Sequence, residues 1–318
     1  MTLTEHCTRI TFRDVEVYYA THPALRCNEL DLETSICGII GPNGAGKSTF
    51  IKTILGLLRP IRGEFGAYSV TKSGLHKLVP QIDMAYCPEM GAVFNDISVE
   101  EYLLFWCRLR HGGAKYLKFG NGKHLLDALD LWAILPKRGA FLSKGEKQRV
   151  QTCAGFLLNP KLFLFDEPFD GLDVQRTQDL VNLIQLKLSE TSFIISSHRM
   201  DIIERIARSL LVLNQGKIVS SGTVTEVSTA LAGEAIILTL QSEDRNNREK
   251  VAQYLTTSFP HTIITDRGTE WSLTGSGLTA KELAQYFSTR FSHFEVMGHP
   301  PSLTDAMTLY LRSILRST

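Results

Sequence analysis

The stretch from Gly41 to Thr49 constrains this chain more than any other. Its sequence, GPNGAGKST, matches the pattern G-x-x-x-x-G-K-[ST]. In such a loop the glycines let backbone N–H groups close around an anion, the lysine reaches the terminal phosphates, and the hydroxyl is placed for Mg²⁺. An apolar segment, Ile36 to Ile40, comes before it, and a helix is expected from Lys47 to Leu58. A helix N-terminus favours negative charge, so the stretch predicts a nucleotide-phosphate site rather than an incidental glycine-rich turn.

Composition limits the class of protein. A chain of 318 residues can form one large and one smaller domain. The net charge of +1 gives no general attraction to nucleic acid, so we expect no nucleic-acid partner. Apolar runs of about six residues are too short for a bilayer, which needs about 20. The six cysteines form no C-x-x-C pair, which favours buried free thiols in a reducing compartment. We therefore expect a chain that is neither secreted nor membrane-spanning.

The pattern of apolar residues predicts an α/β core. Its phosphate loop and two later strand ends, at Asp166 and His198, should meet at the carboxyl edge of a parallel sheet, where such sheets bind ligands. The middle of the chain, about 90–156, is predicted as a helical insertion whose aromatic residues Tyr102, Phe105 and Trp106 belong mainly to its core. Strands are expected at 10–19, 30–33, 36–40, 162–165 and 193–196, and helices at 47–58, 99–110, 123–134 and 175–188.

The predicted pattern of helices and strands changes after about residue 226. The elements predicted there follow the order β-α-β-β-α-β, which is typical of a ferredoxin-like α+β domain. The strands are expected at 235–241, 262–265, 270–273 and 293–297, and the helices at 247–259 and 279–291, with a closing helix at 303–315. The sequence thus predicts two domains, 1–225 and 226–318.

Asp166 and Glu167 follow an apolar strand. An ionised carboxylate there is costly unless a cation accompanies it, and Mg²⁺ beside Ser48 would be that cation. Glu167 could then act as a general base toward a terminal phosphate. The alternative, a pair of solvated acids at a strand end, is disfavoured by the phosphate loop upstream. Ser143 and Glu146 form the capping-box pattern S-x-x-E, which by itself indicates only a stable helix start.

Five motifs in order resemble those of ABC transporter ATP-binding subunits, over residues 10 to about 225. They are Gly41–Thr49 as Walker A, 142–149 (LSKGEKQR) in the place of the signature L-S-G-G-Q, 162–168 as Walker B, 171–173 as the D-loop, and Ser197-His198 as the switch-histidine segment. Similarity to this family implies a P-loop NTPase core, ATP and Mg²⁺ as cofactors, and head-to-tail dimerisation with a second ATP-binding subunit.

The resemblance also implies roles for particular residues. Ser143 and Gly145 would contact the γ-phosphate held by the opposite subunit, His198 would hydrogen-bond the γ-phosphate, and Tyr19, in preference to Tyr18, would stack on adenine. The cofactor-binding residues implied are Tyr19, Asn43, Gly44, Ala45, Gly46, Lys47, Ser48, Thr49, Ser143 and Gly145; the metal ligands are Ser48, Asp166 and Glu89; the catalytic residues are Lys47, Glu167 and His198.

Four residues depart from the family pattern. Glu89 stands where a glutamine is usual, Lys144 and Glu146 alter the signature, and Asp170 takes the usual serine position of the D-loop. Lysine beside phosphate is tolerable because it supplies charge without a strict demand on geometry. These departures leave open whether two sites of a dimer would be equally active.

The resemblance favours an ATPase subunit of an exporter of the drug, peptide, polysaccharide or lipid type. It would drive a separate transmembrane permease from the cytoplasmic face of the membrane, bound peripherally, with the insertion after Glu89 as the contact. A soluble ABC ATPase of translation or DNA repair is disfavoured by the single cassette, the neutral charge and the lack of heptads. A nucleotide-sensing module with little turnover remains an alternative, and a small-molecule kinase ranks last.

Overall fold

Ten strands in the described part of residues 1–223 form one sheet. The computed structural model describes residues 5–111, 117, 120–232, 236–242, 253, 254, 256–258, 263–266, 270–275, 285, 289, 294–299 and 301–317. The chain divides into two compact units, 1–223 and 224–318. The strands are β1 Cys7–Tyr19, β2 His22–Thr34, β3 Ile36–Ile40, β4 Arg62–Thr71, β5 Gly74–Lys77, β6 Met84–Cys87, β7 Leu162–Asp166, β8 Ser192–Ser196, β9 Ser209–Asn214 and β10 Lys217–Gly222. They lie across the sheet in the order β5-β4-β1-β2-β10-β9-β3-β8-β7-β6.

The centre of this sheet is parallel and buried. Strands β3, β8, β7 and β6 pair in parallel, and every residue of β3, β7 and β8 is buried. A strand covered on both faces has a continuous apolar sequence, as these three have. By contrast, β1 pairs antiparallel with β2 and β4, and it alternates between more and less buried residues. The α/β core expected from the sequence is therefore confirmed.

Helices cover the sheet and form the insertion. They are α1 Lys47–Ile54, α2 Pro80–Asp83, α3 Val99–His111, α4 Asn121–Ala128, α5 Lys144–Leu157, α6 Val174–Lys187 and α7 Met200–Ile206, with short 3₁₀ turns at Trp132–Ile134 and Gly139–Phe141. In α5, Phe156 packs on Phe163 with ring centroids 4.9 Å apart, so this helix joins the insertion to the sheet.

Two expected helices are shorter than predicted. The helix expected from Lys47 to Leu58 ends at Ile54, since Gly56 adopts a left-handed backbone with φ of 69°. The helix expected at 123–134 ends at Ala128, because Asp130 has φ of 48° and a 3₁₀ turn follows it. In both cases one left-handed residue interrupts an apolar periodicity that continues beyond it.

The aromatic residues of the insertion are only partly in its core. Tyr102 is buried, whereas Phe105 is 42% exposed.

The cysteines agree with the expectation of buried free thiols. All six are free, and five are buried while Cys7 is half-buried. In the described part of the chain, no helix combines the length and apolar character needed to cross a membrane.

The described residues of the second unit form α8 Val224–Ala232, β11 Ile236–Ser242, β12 Ile263–Asp266, β13 Glu270–Gly275, β14 Phe294–His299 and α9 Leu303–Ser317. These four strands make an antiparallel sheet in the order β12-β13-β11-β14. The helices predicted at 247–259 and 279–291 fall mostly outside the described residues, so the ferredoxin-like arrangement stays a prediction.

Candidate nucleotide-binding site

The loop between β3 and α1 requires glycine at defined positions. Gly41 has φ of 153°, and a Cβ there would lie 2.2 Å from the backbone oxygen of Leu213. Gly46 has φ of 104°, and a Cβ there would lie 2.9 Å from the backbone oxygen of Ala24. Any side chain at either position would push the loop away from its neighbours, and so these contacts fix its path.

Two other segments of the sheet brace this loop. The backbone N–H of Gly216, in the turn between β9 and β10, donates to the oxygen of Ala45 at 2.9 Å. The oxygen of Gly216 accepts from the N–H of Arg26 on β2 at 2.6 Å. The loop is therefore held from the side by residues far away in the sequence, which preorganises its N–H groups.

A cavity of about 1040 Å³ opens at the loop. It is large enough for a nucleotide, since ligand pockets commonly measure about 300–1,000 Å³. It lies within the first unit, at the carboxyl edge of the parallel strands, as expected. The residues that line it are Tyr19, His22, Pro23, Ala24, Asn43, Gly44, Ala45, Gly46, Lys47, Ser48, Thr49, Glu89, Asp166, Glu167, Asp170, His198, Gln215 and Gly216.

The structure brings most of the predicted site residues together and leaves two apart. Tyr19, the loop, Glu89, both acids of Walker B and His198 all line the cavity, but Ser143 and Gly145 do not. Sequence reasoning missed His22, Pro23, Ala24, Gln215 and Gly216. The Gln215-Gly216 turn is recognisable as a turn, yet only the pairing of β10 beside β2 places it at the loop.

Tyr18 and Tyr19 differ in their surroundings. The hydroxyl of Tyr18 accepts from the guanidinium of Arg26 at 2.7 Å, so this ring is already engaged with the protein. Tyr19 is 46% exposed and lines the cavity. Of the two, Tyr19 lines the cavity and Tyr18 does not, which favours Tyr19 for contact with a ligand.

Lys47 holds its ammonium inside the loop. Its Nζ donates to the oxygen of Gly41 at 2.9 Å and to that of Pro42 at 3.4 Å. It lies 3.8 Å from Oε1 of Glu167. Burial lowers the pKa of Lys47, and the carboxylates of Glu167 and Asp166 oppose that shift. The arrangement is a buried cation facing the place where phosphates would enter.

Glu167 is buried with one oxygen unsatisfied. Its backbone N–H donates to both the oxygen and the Oγ of Ser196 at 3.1 Å, and its φ of 51° is in the left-handed region. Its Oε2 accepts from the backbone N–H of His198 at 2.9 Å. Among the described residues, Oε1 accepts no hydrogen bond, although Nε2 of His198 lies 3.1 Å away. Burial raises the pKa of Glu167, against the influence of His198 and Lys47. A buried carboxylate of this kind is suited to accept a proton.

Asp166 lies beside Glu167 with a different partner. Its Oδ1 accepts from Oγ of Ser196 at 2.6 Å, and the residue is buried. Burial, and then the carboxylate of Asp166, raises the pKa of Tyr86. Ser48, Asp166 and Glu89 all line the cavity and offer the oxygen donors that Mg²⁺ prefers. No cluster of three or more His, Cys, Asp or Glu among the described residues could hold a metal alone, so Mg²⁺ would also need oxygens from phosphate and water.

Ser143 and Gly145 have a structural environment of their own. Oγ of Ser143 accepts from the N–H of Glu146 at 3.2 Å, and Oε2 of Glu146 accepts from the N–H of Ser143 at 2.7 Å. The predicted capping box at the start of α5 is thus confirmed. A Cβ on Gly145 would lie 2.6 Å from the oxygen of Gly171, so α5 packs closely against the segment after Walker B.

Comparison with known proteins agrees with this site. A family model described as ABC transporter matches residues 30–170. The chain is 29% identical to an uncharacterized ABC transporter ATP-binding protein, YhaQ of Bacillus subtilis, over 74% of this chain and 77% of that protein. It is 32% identical to the methionine import ATP-binding protein MetN of Caulobacter vibrioides, over 69% of this chain and 68% of that protein.

The fold agrees as well. A solved ATP-binding subunit of an ABC transporter superposes with a TM-score of 0.57 at 26% identity, covering 70% of this chain and 92% of the other. From its phosphate loop, its acids at the sheet edge and these relatives, we conclude that the chain belongs to the ABC transporter family as an ATP-hydrolysing, ATP-binding subunit.

Proposed function

We propose that this chain hydrolyses ATP in the cavity around Gly41–Thr49 and thereby drives export by a separate membrane permease. The observation that carries the proposal is Oε1 of buried Glu167, which accepts no hydrogen bond among the described residues and lies 3.8 Å from Nζ of Lys47 and 3.1 Å from Nε2 of His198. Such an acceptor is costly unless a ligand uses it, and here it faces a cavity of nucleotide size.

The loop would bind the phosphates. Its N–H groups from Asn43 to Thr49 and the ammonium of Lys47 supply the positive potential, while Tyr19 stacks on the adenine at the rim. Ser48, Asp166 and Glu89 would hold Mg²⁺ together with phosphate oxygens. When bound, the ion would neutralise part of the charge on the phosphates.

Glu167 would act as the general base. A water oxygen bonds to the γ-phosphorus, the bond to the β–γ bridging oxygen breaks, and the proton of the water moves to Oε1 of Glu167; the products are ADP and phosphate. His198, whose side chain is about half exposed, would orient the water and the γ-phosphate. The N–H of His198 keeps Oε2 occupied, which directs Oε1 toward the water.

Dimerisation would complete the site. Ser143 and Gly145 lie outside the cavity of their own chain, and Ser143 is exposed at the start of α5. A helix N-terminus is suited to phosphate. A second ATP-binding subunit, identical or related, would place these residues over the nucleotide, so that ATP closes the dimer and hydrolysis opens it.

The permease would dock on the insertion. We name the exposed apolar residues Phe94, Phe105 and Leu109 the insertion patch; they are 51, 42 and 63% exposed. The rings of Phe94 and Phe105 lie 6.0 Å apart, and Leu109 is one helical turn beyond Phe105. An exposed apolar cluster of this kind is typical of a protein contact. Docking there would hold the chain at the cytoplasmic face of the membrane.

Export rather than import is proposed from the signature variant LSKG and the unit after residue 223. A ferredoxin-like α+β domain is proposed for that unit, and the sheet order β12-β13-β11-β14 supports it. In cells that encode the chain, replacing it with Glu167→Gln should raise the intracellular amount of the transported substrate. A fall in that amount would indicate import instead.

The central experiment compares wild type with Glu167→Gln in the full-length protein. Loss of the base should lower ATP hydrolysis by about 10²- to 10⁴-fold and leave MgATP binding intact. The mutant should also accumulate as an ATP-bound dimer in size-exclusion chromatography. Unchanged turnover in the mutant would contradict the role of Glu167, and a wild type that binds ATP but barely hydrolyses it would favour a nucleotide sensor.

Docking has its own test. Phe105→Glu combined with Leu109→Glu should reduce the membrane-bound fraction of the chain in cells that contain the permease. Leu186→Glu, on α6, changes a leucine that is 73% exposed, against 63% for Leu109, and that lies outside the insertion; it should have no effect. Equal losses from both changes would contradict docking at the insertion patch.

A further inference from the structure

Two of the four residues that depart from the family pattern form an ion pair with each other. Nζ of Lys144, at the start of α5, donates to Oδ2 of Asp170, which follows Walker B. Asp170 lines the nucleotide cavity, whereas Lys144 does not. The side chains are 45 and 56% exposed, and a pair this exposed contributes little to stability. The electrostatic effect of the pair on the adjacent cavity does not depend on that contribution to stability.

The cavity carries an excess of negative charge. Four carboxylates line it: Glu89, Asp166, Glu167 and Asp170. Among the described residues that line it, Lys47 is the one lysine or arginine. A nucleotide with its Mg²⁺ is itself an anion, so each uncompensated carboxylate at the rim opposes its entry.

The field of Lys144 reaches this acidic group. Its pKa is raised first by the hydrogen bond to Asp170 and also by the charges of Glu89 and Glu167. The same pair lowers the pKa of Asp170. Lys144 therefore raises the electrostatic potential in the cavity, although it does not line the cavity itself.

The backbone holds the pair in place. The N–H of Asp170 donates to the oxygen of Glu167 at 3.2 Å, which fixes the turn that follows the base. A Cβ on Gly171 would lie 3.3 to 3.7 Å from the carbon stem of Lys144, so that stem lies over Gly171. The close approach of Gly145 to the oxygen of Gly171 fixes the short distance between the first turn of α5 and this segment. These contacts direct the ammonium of Lys144 onto Asp170.

We propose that Lys144 is a positioning residue for nucleotide binding, which neutralises Asp170 at the cavity rim and so reduces the electrostatic repulsion of the ATP phosphates. The inference rests on the proposed function, since it takes this cavity as the ATP site. It adds a role within one chain for a position whose neighbours Ser143 and Gly145 are proposed to act on the opposite subunit.

The test measures the Kd of MgATP for the full-length protein, at low ionic strength and at about 0.5 M salt. Lys144→Gln should weaken binding about 3- to 10-fold at low ionic strength, and much less at high salt because the charge is screened. Lys144→Arg should bind like wild type. Asp170→Asn should bind as well as wild type or better, and adding Lys144→Gln to it should weaken binding by a clearly smaller factor than Lys144→Gln does in the wild type, because the main partner of Lys144 is then already neutral.

Lys187→Gln is the control for the loss of an acid-paired lysine elsewhere in the chain. Lys187 is also paired with an acid, Glu190, and it lies in α6, away from the residues that line the cavity. This variant should leave the Kd unchanged at both salt concentrations.

Three results would overturn the inference. The first is an unaltered Kd in Lys144→Gln. The second is a loss of binding by the same factor with and without Asp170→Asn, which would mean that Lys144 acts on the nucleotide or the helix directly. A loss that persists at high salt would indicate packing rather than charge. Failure of the wild type to bind MgATP would instead contradict the proposed function, so the two failures are distinguishable.

Discussion

His198 contacts Glu167 twice, with its backbone and with its ring. Its N–H donates to Oε2 at 2.9 Å, and its Nε2 lies 3.1 Å from Oε1. The first contact positions the carboxylate whatever side chain residue 198 carries. The second places an imidazole at the oxygen that is proposed to take the proton. The two contacts can therefore be separated by mutation.

His198→Ala should lower the turnover of ATP about 10- to 100-fold, because the ring that orients water is lost while the backbone contact remains. MgATP binding should change little. Steady-state phosphate release and a binding titration measure the two effects. His124→Ala, at an exposed position on α4, is the control and should match wild type. A large loss of binding with unchanged turnover would contradict this role.

Gly41→Ala should destabilise the protein by about 1–3 kcal/mol and abolish MgATP binding, because the new Cβ would meet the oxygen of Leu213. Chemical denaturation and a binding titration would measure these effects. Gly56→Ala is a matched comparison, since Gly56 also has positive φ but has open space around it. It should cost about 1 kcal/mol and keep binding. Equal effects at both positions would show that backbone strain alone matters.

Ser143→Ala should cost about 0.5–2 kcal/mol of stability through loss of the helix cap. Ser143→Asp keeps a capping oxygen and adds a negative charge, so it should retain stability. If Ser143 also faces the nucleotide of a second subunit, Ser143→Asp should lower ATP hydrolysis at protein concentrations where dimers form. Full activity of this variant would confine Ser143 to its capping role.

Glu146→Gln should destabilise the protein at neutral pH and have less effect in acid. Burial raises the pKa of Glu146, but the N–H of Ser143 and the ammonium of Lys137 outweigh it and hold that pKa below its usual range. A depressed pKa means that the ionised form stabilises the fold above the unfolded pKa, and that this contribution is lost as pH falls through the folded pKa. Denaturation of both proteins from about pH 7 to about pH 3 should therefore converge. A constant difference across this range would contradict the argument.

Local chemistry explains why much of the site could be predicted from the sequence. The phosphate loop is contiguous, and its glycines, lysine and hydroxyl act within a few residues of one another. Asp166 and Glu167 could be identified because a buried apolar strand ends at them. The capping box of Ser143 and Glu146 is equally local, and the structure confirms it.

The tertiary structure decided what depends on residues far apart in the chain. Only the pairing of β10 beside β2 brings Gly216 onto the loop, and only the packing of α5 against the segment after Walker B joins Lys144 to Asp170. It also placed Ser143 outside the cavity that its motif is associated with. The sequence by itself determined the chemistry of the phosphate loop and the acids, because neighbouring residues create it. The charge balance at the cavity rim and the bracing of the loop by Gly216 required the folded sheet. Both depend on distances between residues that are far apart in the chain, and the spacing of residues along the sequence does not encode such distances.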